Sequence, residues 1–243
     1  MDVCAVFEFK VRSYECGPDG RATFPTVCNY LQEAAGEHAE QLGFSKSNFA
    51  AEGENISWVL TRLRVRMSRL PVWQETVLVE TYPRGGRRIT AHRDFVLRVG
   101  DETIGVATSE WMIIDLQSRK VVPVPAFVYG LVNDVRPPVL GAEAFTKLHW
   151  TCREDAGEMR FRARRGDIDL NGHVNNVHYV EWLLETLPDG TGPVRELELV
   201  FKSETLKGDE VRAGSAEVEP GVWAAHLASP DGHDHVVARI KVG

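Results

Sequence analysis

A strand-like run, a polar turn, an amphipathic helix and a train of further strand-like runs occur twice along the 243 residues. That repeated order constrains the fold more than any other feature. In the first half Phe9-Lys10-Val11-Arg12 alternates apolar and basic residues, and a turn-rich stretch follows at Gly17-Pro18-Asp19-Gly20. A helical pattern then runs from about Pro25 to Leu42, with Val27, Tyr30, Leu31, Ala34, Ala35, Ala39 and Leu42 on one stripe. Pro25 suits a first turn and Gly43 a stop. In the second half Phe161-Arg162-Ala163-Arg164 opens the same way, and a polar turn spans Gly166 to Gly172. A second helical pattern runs from about Val174 to Leu187, with Pro188 as its stop.

Each helix precedes four strand-like runs. They are Trp58 to Met67, Glu75 to Tyr82, Thr90 to Val99 and Thr103 to Asp115 in the first half. In the second they are Val194 to Lys202, Glu210 to Val218, Trp223 to Ala228 and His235 to Val242. Arg62, Arg64 and Arg66 alternate with Leu63, Val65 and Met67, which reads as a strand with one wet and one dry face. One helix per half does not cover both faces of a parallel sheet. The sequence therefore predicts an α+β fold in two tandem units, each a long helix packed on an antiparallel sheet. Residues 1–130 form the first unit and 150–243 the second, and 131–149, with Pro137-Pro138, reads as the linker.

Composition narrows the partners. Lys plus Arg is 28 against 35 Asp plus Glu, a net charge of −7, which disfavours broad nucleic-acid binding. The most apolar stretch, Val121 to Val132, is interrupted by Pro123, Pro125 and Gly130, so no membrane span is expected. The start, Met1-Asp2-Val3-Cys4, carries no secretory pattern, and a cytoplasmic location is the expectation. Cys4, Cys16, Cys28 and Cys152 form no CxxC pair and read as small buried hydrophobes. Two pairs of histidines, His173 with His178 and His233 with His235, fall short of a metal-ligand set, so neither metal nor cofactor is called for.

The second turn carries the chemistry. In Asp167-Ile168-Asp169-Leu170-Asn171-Gly172-His173-Val174-Asn175-Asn176, the residues Asp169, Asn171 and His173 alternate, so an extended backbone points them the same way. They stand just ahead of a helix N-terminus, whose free N–H groups can stabilise an oxyanion. Aligning the halves on Tyr30 and Tyr179 sets Gly20, Ala22 and Phe24 opposite them, so the polar set belongs to one half alone. Taken separately, each is an ordinary turn or capping residue; together they point to a site. The run Val200 to Val211 resembles Arg66 to Val77 with one residue fewer, which puts Glu204 opposite Arg69 or Leu70.

Taken with Val11-Arg12-Ser13-Tyr14-Glu15, Asn29 to Ala35, Trp58 to Arg62, His92-Arg93-Asp94-Phe95 and above all Asp167 to Glu185, the chain resembles the acyl-ACP (acyl-acyl-carrier-protein) thioesterases, of the bacterial type. The resemblance implies a double hotdog, hydrolysis of fatty acyl thioesters at the end of fatty-acid synthesis, an acyl carrier protein as partner, and an acyl pocket mainly in the first hotdog. It implies Asp169, Asn171 and His173 as the catalytic Asp, Asn and His, and Glu204 as the strand glutamate. It leaves open which carboxylate is the base. Plant members carry a cysteine directly after that glutamate; here the residue is Thr205, so a cysteine nucleophile at that place is excluded. Arg62, Arg64 and Arg66, and Arg84, Arg87, Arg88 and Arg93, are candidate basic patches for an acidic carrier. The alternatives are a coenzyme A thioesterase, a hotdog hydratase or dehydratase, and a non-catalytic acyl-binding module. Both a monomer and a homodimer fit.

Overall fold

A computed structural model describes residues 3–130, 136–141, 145, 147, 148 and 158–243. Most of the expected linker, and Cys152, lie outside the described residues. The chain divides into two units, Met1–Ala144 and Phe145–Gly243.

The first unit contains β1 (Ala5–Lys10), α1 (Phe24–Gln41), α2 (Lys46–Ala51), β2 (Ile56–Met67), β3 (Thr76–Arg87), β4 (Thr90–Val99), β5 (Glu102–Asp115), β6 (Val121–Val122) and α3 (Ala126–Gly130). Its main strands lie in the order β1-β3-β4-β5-β2, with every neighbouring pair antiparallel. Helix α1 packs on β1 and β3. Thr23 starts it by accepting a hydrogen bond from the Thr26 N–H at 3.3 Å. The buried stripe follows the expected spacing, with Val27, Leu31 and Ala34 almost wholly enclosed. Burying a side chain the size of Val27 or Leu31 contributes about 1.5–3 kcal/mol.

The second unit contains β7 (Glu158–Arg162), α4 (Asn176–Leu184), β8 (Val194–Phe201), β9 (Glu210–Glu219), β10 (Val222–Ala228) and β11 (Asp234–Val242). Its order, β7-β9-β10-β11-β8, repeats the first unit's topology. Helix α4 packs on β9 and β10. It is shorter than the pattern predicts at both ends. Val174 is drawn into an extended bridge with Ile168 and donates its N–H to Thr205 O at 2.9 Å. Beyond Leu184, Thr186 turns back to the Leu183 carbonyl through both its N–H and its hydroxyl, ahead of Pro188.

The two units match closely, and the match corrects the sequence alignment by three residues. Tyr30 stacks on Phe9 in the first unit; Trp182, not Tyr179, stacks on Phe161 in the second. Gly17 N–H to Arg21 O recurs as Asp169 N–H to His173 O, both at 2.8 Å. Gly20 N–H to Gly17 O recurs as Gly172 N–H to Asp169 O, both at 3.0 Å. Ala22 N–H to Pro71 O recurs as Val174 N–H to Thr205 O. The residues opposite Asp169, Asn171 and His173 are therefore Gly17, Asp19 and Arg21, and Leu70 stands opposite Glu204.

The expected arginine faces also differ. Arg64 and Arg93 are buried, at 7% and 6% exposure. Arg62, Arg64 and Arg66 keep one uninterrupted register against β5, yet Arg62 is half-buried, Arg64 buried and Arg66 exposed, so their shared face is not one continuous wet stripe. Arg84 pairs with buried Asp94 at 3.1 Å. Arg66, Arg87 and Arg88 remain exposed. Of the linker residues described, Arg136 lies over the Tyr82 ring and Val139 N–H bonds Asp94 at 3.2 Å, so this stretch docks on the first unit.

Candidate active site

The loop before α4 is built by backbone capping. The Asp167 carboxylate accepts the Arg164 N–H at 2.7 Å and pairs with the Arg164 guanidinium at 3.0 Å. Burial opposes ionisation of Asp167, but these Arg164 contacts win and hold its carboxyl below the usual range. Glu15 caps Arg12 in the same way in the first unit, at 2.7 Å. Gly172 adopts a left-handed backbone, φ 84°, that a residue with Cβ rarely adopts. The turn it closes returns His173 to the segment after β8 through the Val174–Thr205 hydrogen bond.

Two side-chain pairs result. His173 Nε2 lies 3.1 Å from Glu204 Oε2, with both side chains partly exposed. Asp169 Oδ1 accepts the Asn171 N–H at 2.8 Å, and Asn171 Nδ2 lies 3.4 Å from Asp169 Oδ2. All four residues singled out in the sequence thus fall into two contacting pairs. Tyr179, which the sequence offered only as an alignment mark, sits buried behind them. Burial raises its phenol; contact with Thr205 works the other way, and the negative charges of Glu204 and Asp169 raise it further. Thr205, in the position noted for its missing thiol, is fully enclosed.

This arrangement supplies a carboxylate that can accept a proton, an imidazole that can hold a water or a carbonyl, and an amide that can donate to an oxygen. Among the described residues no group of three or more His, Cys, Asp or Glu could hold a metal ion. Among them, too, no helix is long and apolar enough to cross a membrane.

A pair of units, each a helix on an antiparallel sheet and only one bearing the acid–histidine loop, defines an asymmetric double hotdog. Residues 5–130 match the family model of the acyl-ACP thioesterase N-terminal domain, and residues 152–242 match that of the C-terminal domain. The chain belongs to the acyl-ACP thioesterase family. It is 31% identical over 246 residues to the chloroplastic oleoyl-acyl carrier protein thioesterase of Coriandrum sativum, covering 93% of this chain and 66% of that protein. It is 34% identical over 210 residues to the chloroplastic palmitoyl-acyl carrier protein thioesterase of Arabidopsis thaliana, covering 82% of this chain and 50% of that protein. The chain thus spans from half to about two thirds of the length of these curated relatives. Among solved structures, the 12:0-ACP thioesterase of Umbellularia californica superposes with a TM-score of 0.87 at 25% identity, covering 99% of this chain and 97% of that one. An acyl-ACP thioesterase of Bacteroides thetaiotaomicron shares the fold, with a TM-score of 0.85 at 24% identity, covering 99% and 98%.

Proposed function

We propose that this chain hydrolyses the thioester joining a fatty acyl chain to acyl carrier protein, and that Asp169, Asn171, His173 and Glu204 carry the reaction. The observation that supports this most directly is the His173–Glu204 contact at 3.1 Å, which joins the loop holding Asp169 and Asn171 to the segment after β8. Glu204 accepts a proton from water as the hydroxyl adds to the thioester carbon. His173 holds the water in line, and Asn171, fixed by Asp169, donates to the carbonyl oxygen. The carbon–sulfur bond then breaks, and the thiolate leaves with the proton that Glu204 had taken. A positioned base contributes roughly 10²–10⁴-fold to the rate, and an oxyanion donor roughly 10²–10³-fold. No cofactor is needed, because a thiolate is a competent leaving group.

The first unit would hold the acyl chain against α1 and its sheet, with about 0.8 kcal/mol for each methylene buried. The second unit would carry the chemistry. Arg66, Arg87 and Arg88 are the exposed members of the arginine clusters and would face an acidic carrier. The relatives are named for oleoyl, palmitoyl and dodecanoyl substrates.

Release of free fatty acid from acyl-carrier-protein and acyl-coenzyme A thioesters of increasing length tests this reading. Faster hydrolysis of the carrier-protein esters, with a length optimum, is expected. Preference for the coenzyme A esters would reassign the substrate, and a folded protein inactive on all of them would overturn the reading.

A further inference from the structure

Glu204 is held in place from behind by a contact that the first unit makes differently. The segment after β8 is anchored to the start of β11: Lys202 N–H donates to His235 O at 2.8 Å. The first unit has the equivalent bond, Ser68 N–H to Ile104 O at 2.9 Å. His235 therefore occupies the place of Ile104, and Ser203 that of Arg69. Ile104 is fully buried, so an apolar side chain is enough to build this corner of the fold. Arg69 is fixed by ion pairs to Glu75 at 2.9 Å and Glu102 at 2.8 Å. In the second unit a histidine only 7% exposed takes the apolar position. Enclosing a polar ring there costs free energy unless it is hydrogen-bonded.

That ring is hydrogen-bonded to the residue beside Glu204. His235 Nδ1 lies 2.8 Å from Ser203 Oγ, and Ser203 Oγ lies 3.1 Å from Asp234 O. A hydroxyl has one proton. Both contacts are satisfied together when His235 Nδ1–H donates to Ser203 Oγ and Ser203 O–H donates to the Asp234 carbonyl.

We propose that Ser203 and His235 are positioning residues for Glu204: they fix the backbone one residue before it, so that its carboxylate meets His173. The proposal rests on the function given above, with Glu204 as a working carboxylate. Neither residue touches the reacting atoms; they act through the chain. A displaced catalytic group lowers turnover steeply even where binding is intact.

Three variants test it: Ser203→Ala, His235→Ile and His235→Asn. The isoleucine is the residue that the first unit carries at this position, so the variant is expected to fold. Ser203→Ala and His235→Ile should each lower kcat by about tenfold to a hundredfold with KM nearly unchanged. Tm should hold in His235→Ile and fall in Ser203→Ala, which leaves the enclosed ring without its partner. The double variant should lose no more than either single one. His235→Asn, whose amide can donate in place of Nδ1–H, should recover most of the loss. Imidazole ¹⁵N shifts of the wild-type protein should show the Nδ1–H tautomer at His235. Wild-type kcat in both Ser203→Ala and His235→Ile, or the Nε2–H tautomer, overturns the proposal while leaving the function standing. A wild-type protein inactive on every thioester overturns both.

Discussion

Gly20 and Gly172 are the same residue of the same turn in two successive units. Both have a left-handed backbone, with φ of 73° and 84°, and both donate an N–H at 3.0 Å to the residue three before, Gly17 or Asp169. The two loops share this turn, and the first adds a Trp73 N–H to Gly20 O bond at 2.9 Å. The residues that separate them chemically are side chains, Asp169, Asn171 and His173 against Gly17, Asp19 and Arg21.

That agreement supplies an internal control. Gly20→Ala and Gly172→Ala should each destabilise the fold by about 1–2 kcal/mol, the cost of a left-handed backbone at a residue with Cβ. Only Gly172→Ala should lower thioester turnover. Paired denaturation curves and initial rates check both halves, and equal loss of turnover in the two would remove the loop from the reaction.

Removing the proton acceptor should be the most damaging change to the site. Glu204→Gln keeps shape and loses basicity, so kcat should fall by roughly 10²–10⁴-fold with the fold intact. Asn171→Ala should cost roughly 10²–10³-fold as an oxyanion donor. Steady-state rates with circular dichroism on the same samples decide the matter.

A thiol reagent should leave the rate alone. Among the described residues Cys4, Cys16 and Cys28 form no disulfide, and all three lie in the first unit. Burial pushes the Cys28 thiol up to about 12, far from a reactive thiolate. Iodoacetamide at neutral pH should therefore change turnover by less than about twofold, since the thiolate is the reactive form. Stoichiometric inactivation would restore a cysteine to the mechanism.

Acid should loosen the second unit through Asp167. Its folded carboxyl is held below the unfolded value of about 3.9, so the stabilisation is complete above that pH. It is lost as pH falls through the lower, folded value. Asp167→Asn should be less stable than wild type at pH 7, and the gap should close as pH falls below about 4. Urea midpoints measured from pH 7 to pH 3 would show this; a gap that stays constant would mean that the carboxylate charge is irrelevant.

The strands were legible because β-structure with one dry face leaves a period of two, and runs such as Thr90–Val99 stop where their turn residues begin. The helix stripe of α1 was legible for the same kind of reason, and so was the polar set, whose residues are close in the chain. The register between the repeats was not. It depends on which aromatic stacks on Phe9 and Phe161, and the stacking position is Tyr30 in one unit and Trp182 in the other. Matching by residue type aligned the wrong ring. Arg93 was misread because a buried polar partner, His38 at 2.8 Å, leaves no periodic trace, and Arg64 because alternation along a strand does not tell which face is covered. The short helix α2 was missed although its signal is local: Ser45 and Asn48 cap it reciprocally, at 3.2 and 2.9 Å, ahead of buried Phe49. Ser203 and His235 stand 32 positions apart and meet only through strand pairing.

A tandem chain also escapes a rule that binds identical copies. In a symmetric pair of single units, any change to the loop appears twice, and His173 could not be exchanged for an arginine on one side only. Joining the two units in one polypeptide gives each its own codons. Arg21 can therefore stand where its counterpart is His173, and Leu70 where its counterpart is Glu204, with no change to the reactive loop. One half is thereby released to be shaped by what it holds, and the other by what it does.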